Sequence, residues 1–169
     1  MSEKKNSSKR HEIRHDLRGD LDTSRPSPAE ILGQVTWLMT KSTAHREWLV
    51  GNIDRLIIPP IQLGQCMIIQ EQNLPIAYLS WANLTDKAEI GYINGTRLLS
   101  AKDWNEGENF WWMDFIAPFG GLKTIGQKVR KLFPDTVGKS LRYSEKRQVR
   151  RVYEWDRGRV RFLREVRLK

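Results

Sequence analysis

A chain of 169 residues is about one ordinary domain long and too short for two well-cored ones. Its 39% hydrophobic content and seven Trp exclude a disordered chain, which is poor in both. The formal net charge of +9 is unevenly spread: residues 1–28 carry 7 basic and 5 acidic groups (+2), residues 29–121 carry 6 and 10 (−4), and residues 122–169 carry 16 and 5 (+11). A C-terminal third this basic sets up a positive field that attracts nucleic acid, anionic lipid or an acidic protein. The single cysteine, Cys66, excludes a disulfide framework and a multi-cysteine zinc site, and within Cys66-Met67-Ile68-Ile69 it reads as core packing.

Residues 1–26 mix charged residues and serines without apolar periodicity, as a disordered tail does. They lack the apolar segment of a secretion signal, and no stretch reaches the ~18 apolar residues of a membrane span, so a soluble, cytoplasmic protein without stable membrane insertion is expected. His11 and His15 stand at i, i+4 with no third ligand nearby, and no metal site is expected.

The folded domain is expected over residues 27–169. Ser27-Pro28-Ala29-Glu30 combines a Ser N-cap, a first-turn Pro and a Glu placed to close a capping box. Ile31, Leu32, Val35, Leu38 and Met39 follow at helical spacing, predicting an amphipathic helix over 28–40. Residues 41–48 form a polar junction to a second apolar-periodic stretch, which Pro59-Pro60 is expected to end. Residues 64–71 and 75–82 read as an antiparallel hairpin turning at Gln72-Asn73-Leu74-Pro75, 84–93 as a short helix, and Asn94-Gly95 as a turn. Residues 109–117, apolar on both faces, predict a central, doubly covered strand, with Asp114 as its anomaly. Leu122, Ile125, Val129, Leu132 and Phe133 mark one face of a helix over 122–133 whose polar side carries Lys123, Lys128, Arg130 and Lys131, and Pro134-Asp135 stops it. Residues 139–155 and 159–167 alternate around Asp156-Arg157-Gly158, predicting a final hairpin. The order gives a single α+β domain: a mixed, mostly antiparallel sheet flanked by helices.

Two side chains invite chemistry. His45 is the only histidine outside the tail, and an imidazole in a polar junction can act as a general base. Asp114 interrupts an apolar strand, where an ionised carboxylate needs a partner, either an Arg or an imidazole. An Asp accepting from one imidazole nitrogen fixes the tautomer and makes the other nitrogen a better base. Ser42, three residues before His45, can share its face and support it by a hydrogen bond, or cap the preceding helix. No Gly-rich phosphate loop, zinc-ligand cluster or nucleophile elbow occurs in the sequence, which removes nucleotide hydrolases, zinc enzymes and ordinary serine hydrolases as leading candidates.

Four ordered blocks carry a resemblance: Ile31-Leu32-Gly33-Gln34-Val35-Thr36-Trp37-Leu38, Ser42-Thr43-Ala44-His45-Arg46-Glu47-Trp48, Pro75 to Leu84, and Trp112 to Gly120, followed by Val129-Arg130-Lys131-Leu132-Phe133-Pro134. In these the chain resembles the toxin-activating lysine acyltransferases, bacterial activators of RTX haemolysins, over roughly residues 29–135. The resemblance implies a fold similar to the Gcn5-related N-acetyltransferase fold, a homodimer, and transfer of a fatty acyl group from acyl carrier protein to internal lysines of an RTX protoxin in the cytoplasm. No cofactor would be permanently bound, the donor being the acyl-phosphopantetheine of the carrier protein. The family's essential histidine falls on His45, its aspartate on Asp114, and Ser42 matches a further position implicated in the family. A strongly acidic carrier protein would suit Lys123, Lys128, Arg130 and Lys131, with the opening after Gly120-Gly121 for the pantetheine arm. The N-terminal tail and the basic C-terminal third depart from the family pattern. Two other functions compete: an acyl-coenzyme A-dependent N-acyltransferase on a small amine, though no pyrophosphate-binding Gly run is present, and a basic nucleic-acid-binding module using Tyr143, Tyr153 and Trp155.

Overall fold

The computed structural model describes residues 26–157 and 159–167, so the tail, its two histidines and Gly158 at the final turn lie outside the described residues, Pro26 excepted. Helix α1 spans Pro28–Lys41 behind a complete capping box: the Ser27 hydroxyl accepts from the Glu30 amide, and the Glu30 carboxylate accepts from the Ser27 amide. Its apolar stripe packs as the spacing predicts, with Val35, Leu38 and Met39 buried against Ile57, Ile61, Tyr78 and Ile116. Each such side chain contributes about 1.5–3 kcal/mol by leaving water.

Helix α2 spans Val50–Leu56 and α3 spans Ile58–Gln62. Pro59-Pro60 therefore does not simply end a helix: it sits in the first turn of a new one. First-turn amides have no intrahelical acceptor, so proline's missing N–H costs nothing there. Strands β1 (Cys66–Glu71) and β2 (Leu74–Leu84) form the expected hairpin. The turn is tighter than the sequence suggested, closing on Gln72 and Asn73, both at positive φ. Pro75 thus lies inside β2, where the register shift with β1 and the end of the β3 pairing at Tyr78 accommodate it.

Helix α4 (Asp86–Asn94) begins after Thr85, whose hydroxyl caps Ala88, and ends at Gly95 in the left-handed region. A short 3-10 turn, Ala101–Trp104, whose Asp103 carboxylate accepts from the Ser100 amide and hydroxyl, buries Trp104 fully. Strand β3 covers Asn109–Ile116 and helix α5 Leu122–Leu132. The run 139–155 is not one strand but two, β4 (Val137–Ser144) and β5 (Val149–Asp156), separated by a 3-10 turn at Glu145–Arg147; β6 (Arg159–Arg167) then pairs with β5 as predicted. Neither Gly nor Pro marks the break. Gln148 adopts positive φ instead.

The six strands lie in chain order in one sheet, antiparallel throughout except at β3–β4, where the α5 crossover makes the neighbours parallel. This is the α+β architecture expected of the sequence, and it is consistent with the Gcn5-related N-acetyltransferase fold. β3 and β4 pair only at Trp111–Lys139 and Trp112–Ser140, so the sheet is weakly zipped at its middle. The first face of the sheet, with Tyr78, Ala82, Trp111 and Ile116, packs under α1 to α4; the second, with Ile69 and Ala77, packs under Ile125 of α5. The expectation of a doubly covered β3 fails: only Trp111 and Ile116 are buried, and Phe115 is exposed. On the second face its Phe110 and Trp112 rings are covered by Phe133, at the end of α5, rather than by a full layer.

Candidate active site

The site forms where α1 ends. Ser42 closes the helix with its amide bonded to the Met39 carbonyl, and its own carbonyl then accepts from the amides of His45 and Arg46. This tight turn over 43–47 lifts the imidazole back toward the helix end. The His45 ring packs 4.8 Å from Trp48 and is buried, which limits its rotation.

Asp114 arrives by a backbone irregularity. Along a regular strand Asp114 would share the face of Trp112, away from α1. In the structure Ser80 opposes Asp114 while the next residue, Trp81, opposes Trp112, so Met113 is an extra residue in β3. This β-bulge turns Asp114 to the first face, toward His45.

There the three side chains meet. Asp114 Oδ1 lies 3.1 Å from His45 Nε2 and also accepts from the Phe115 amide at 2.8 Å. The Ser42 hydroxyl lies 2.7 Å from His45 Nδ1. A carboxylate can only accept, so Nε2 carries the proton and the lone pair of Nδ1 receives the Ser42 O–H. The basic nitrogen is thus Nδ1, and Ser42 stands on it. An open cleft of about 320 Å³ lies over this pair, lined among others by Lys41, Ser42, His45, Phe115, Ala117 and Pro118. The arrangement can withdraw a proton from a nucleophile entering the cleft, either at Nδ1 once Ser42 rotates aside or through the Ser42 hydroxyl.

The four cations are elsewhere. Lys123, Lys128, Arg130 and Lys131 are exposed on α5, across the sheet from His45, and form no ion pair among the described residues. The link between the two sides is Pro118-Phe119-Gly120-Gly121, which rounds the end of β3 with both glycines at positive φ. Cys66 is packed against the core, and burial pushes its thiol up to about 12, so it is no nucleophile at neutral pH. Among the described residues no His/Cys/Asp/Glu group could hold a metal, and no helix is long and apolar enough to cross a membrane.

Sequence patterning alone did not single out Tyr78 and Ser80, which stand on the same face as Asp114. They lie two apart in an alternating strand, a signal that becomes informative only once Ser80 is known to oppose Asp114.

A mixed sheet loosened at its parallel joint, with an imidazole held between a carboxylate and a hydroxyl at an open cleft, suits group transfer, and sequence comparison gives the class: the chain is an acyltransferase. It belongs to the RTX toxin acyltransferase family, whose model matches residues 25–156. It is similar to the protein-lysine myristoyltransferase HlyC of Escherichia coli, 39% identical over 79% of this chain and 78% of that protein. It is likewise similar to the RTX-II toxin-activating lysine-acyltransferase ApxIIC of Actinobacillus pleuropneumoniae, 35% identical over 77% of this chain and 82% of that protein. A third relative is the leukotoxin-activating lysine-acyltransferase LktC, serotype A1, of Mannheimia haemolytica, 35% identical over 70% of this chain and 71% of that protein.

Proposed function

We propose that residues 27–169 transfer a fatty acyl group from the phosphopantetheine thioester of an acyl carrier protein to internal lysines of an RTX protoxin in the cytoplasm, with His45 as general base. The observation that carries the reading is the Asp114–His45–Ser42 chain, 3.1 Å and 2.7 Å, opening on the cleft. The acyl-acceptor class rests on the relatives, which are named for lysine acylation and toxin activation.

The chemistry needs such a base. A lysine with an ordinary pKa of ~10.4 is neutral about once in 2500 at pH 7, equivalent to ~4.6 kcal/mol of barrier. His45 Nδ1 takes the proton, Asp114 stabilises the imidazolium that results, and the neutral Nε attacks the thioester carbonyl. The C–N bond forms and the C–S bond breaks; His45 gives its proton to the departing pantetheine thiolate, and the second proton, which the nitrogen sheds on becoming an amide, passes through His45 to solvent. The sulfur ends as a thiol on the carrier protein.

The donor enters, in this reading, from the α5 side. An acidic carrier protein docks on Lys123, Lys128, Arg130 and Lys131, and its arm rounds Gly120-Gly121 to reach the cleft. Charge reversal at Lys128, Arg130 and Lys131 is expected to raise the carrier-protein KM on the order of tenfold and to flatten its salt dependence, leaving kcat near the wild-type value. Steady-state kinetics at two ionic strengths check this. Unchanged kinetics would move docking to the arginines of β5 and β6.

The whole reading is tested by intact mass spectrometry of an RTX protein incubated with the enzyme and carrier proteins charged with different fatty acids. Mass gains of whole acyl groups, mapped to lysines, are expected. Gains only with acyl-coenzyme A and small amines would replace the reading with the second acyltransferase function. The homodimer implied by the family resemblance is part of the same proposal, checked by sedimentation.

A further inference from the structure

Behind the His45–Asp114 contact lies a second polar group that the proposed reaction does not yet use. Ser80 is fully buried on β2 directly opposite Asp114, and Tyr78, fully buried as well, stands two residues back on the same face. Three buried polar atoms collect there without a hydrogen-bond partner: the Tyr78 hydroxyl, Ser80 Oγ and Asp114 Oδ2. Buried hydroxyls and carboxylate oxygens are almost always paired in native proteins, and these three are one another's neighbours.

The other carboxylate oxygen is already occupied. Oδ1 accepts both from His45 Nε2 and from the Phe115 amide, so only Oδ2 is free to be held from behind. The surroundings also keep the Tyr78 phenol in its donor form. Burial, then the Cys66 thiol, push the Tyr78 phenol above its ordinary range; the Ser80 hydroxyl pulls against this, and Asp114 adds to the rise. A phenol so placed stays protonated at neutral pH and keeps a hydrogen to donate. Ser80 acts on the phenol, and neither hydroxyl has another partner.

We propose that Tyr78 and Ser80 are positioning residues of the acyl-transfer site, Tyr78 O–H donating to Ser80 Oγ and Ser80 O–H donating to Asp114 Oδ2, so that the carboxylate presents Oδ1 to His45. The inference rests on the role of Asp114 proposed above. It explains why a strand position facing the core carries a serine: an apolar side chain there would leave Oδ2 desolvated and unpaired. The bulge at Met113 aims the carboxylate, and the two hydroxyls keep it from turning.

The test compares Tyr78→Phe, Ser80→Ala and Ser80→Thr with Asp114→Asn, alone and combined with Ser80→Ala, in lysine acylation by the full-length enzyme. Tyr78→Phe removes one oxygen without changing shape, so it reports even if the Ser80 variants fold poorly. Tyr78→Phe and Ser80→Ala are each expected to lower kcat about tenfold with KM for both substrates within twofold, and Ser80→Thr, which keeps the hydroxyl, to retain most of the activity. In the Asp114→Asn background Ser80→Ala is expected to add less than a twofold loss, because its action passes through the carboxylate. Wild-type kcat in Tyr78→Phe and Ser80→Ala beside an impaired Asp114→Asn would overturn the inference and leave the role of Asp114 standing; so would losses that multiply in the double variant. Full activity in Asp114→Asn would remove both.

Discussion

His45→Ala should lower lysine acylation on the order of 10³-fold while the protein stays folded. The magnitude follows from what the imidazole supplies: a positioned general base contributes typically 10²–10⁴-fold, and the ~4.6 kcal/mol needed to deprotonate a lysine at pH 7 corresponds to a similar factor. The fold should survive because the ring caps a cleft rather than filling a core. Val35, Leu38 and Ile116 belong to a buried cluster of which His45 is not a member. Asp114 would lose its Nε2 partner but keep the Phe115 amide. Measurement of kcat by mass spectrometry, beside a thermal melt, separates the outcomes. Turnover within a few-fold of wild type in a folded His45→Ala would remove His45 as the base and shift attention to Ser42. Imidazole added to the variant should restore part of the rate, since the vacated space opens directly on the cleft.

How far this site was legible in the sequence depends on which physical signal carried each part. The start of α1 was plain, because Ser27, Pro28 and Glu30 each satisfy a separate demand of a helix N-terminus. His45 and Asp114 could be paired on chemical grounds, one the only imidazole outside the tail and the other a carboxylate in an apolar run. Their meeting could not be read. It depends on the extra residue Met113, and an ordinary period-two strand puts Asp114 on the far face with Trp112. No Gly announced that bulge. The same blindness left 139–155 as one run: the turn at Glu145–Arg147 is built from charged residues and a positive φ at Gln148, without Gly or Pro. Pro59-Pro60 misled in the opposite sense, being a strong breaker signal that here opens α3. Local punctuation was informative where residue chemistry enforces one backbone state and silent where tertiary packing imposes one.

The bulge gives the second large effect. Asp114→Asn preserves the shape of the side chain and the buried register of β3, yet it replaces an obligate acceptor with a group that presents either an oxygen or an NH₂ to Nε2. If the amide NH₂ faces the ring, Nε2 must accept, and the ring proton moves to Nδ1. Nδ1 then donates to Ser42 Oγ and is no longer the base facing the cleft. With the amide oxygen turned to the ring the tautomer survives, but the imidazolium formed on proton transfer faces a neutral partner. Both routes weaken the transition state more than the bound substrates, so kcat should fall on the order of 10²–10⁴-fold with KM little changed. Single-turnover acylation at saturating donor measures this directly. A near-normal rate would show that Asp114 serves only to pair with the ring in the resting enzyme, whereas a rise in KM at constant kcat would assign it to substrate binding. Neither result could be blamed on misfolding if the melt is unchanged; with the amide oxygen toward the ring the Phe115 amide keeps its acceptor, and with the NH₂ toward the ring it loses it.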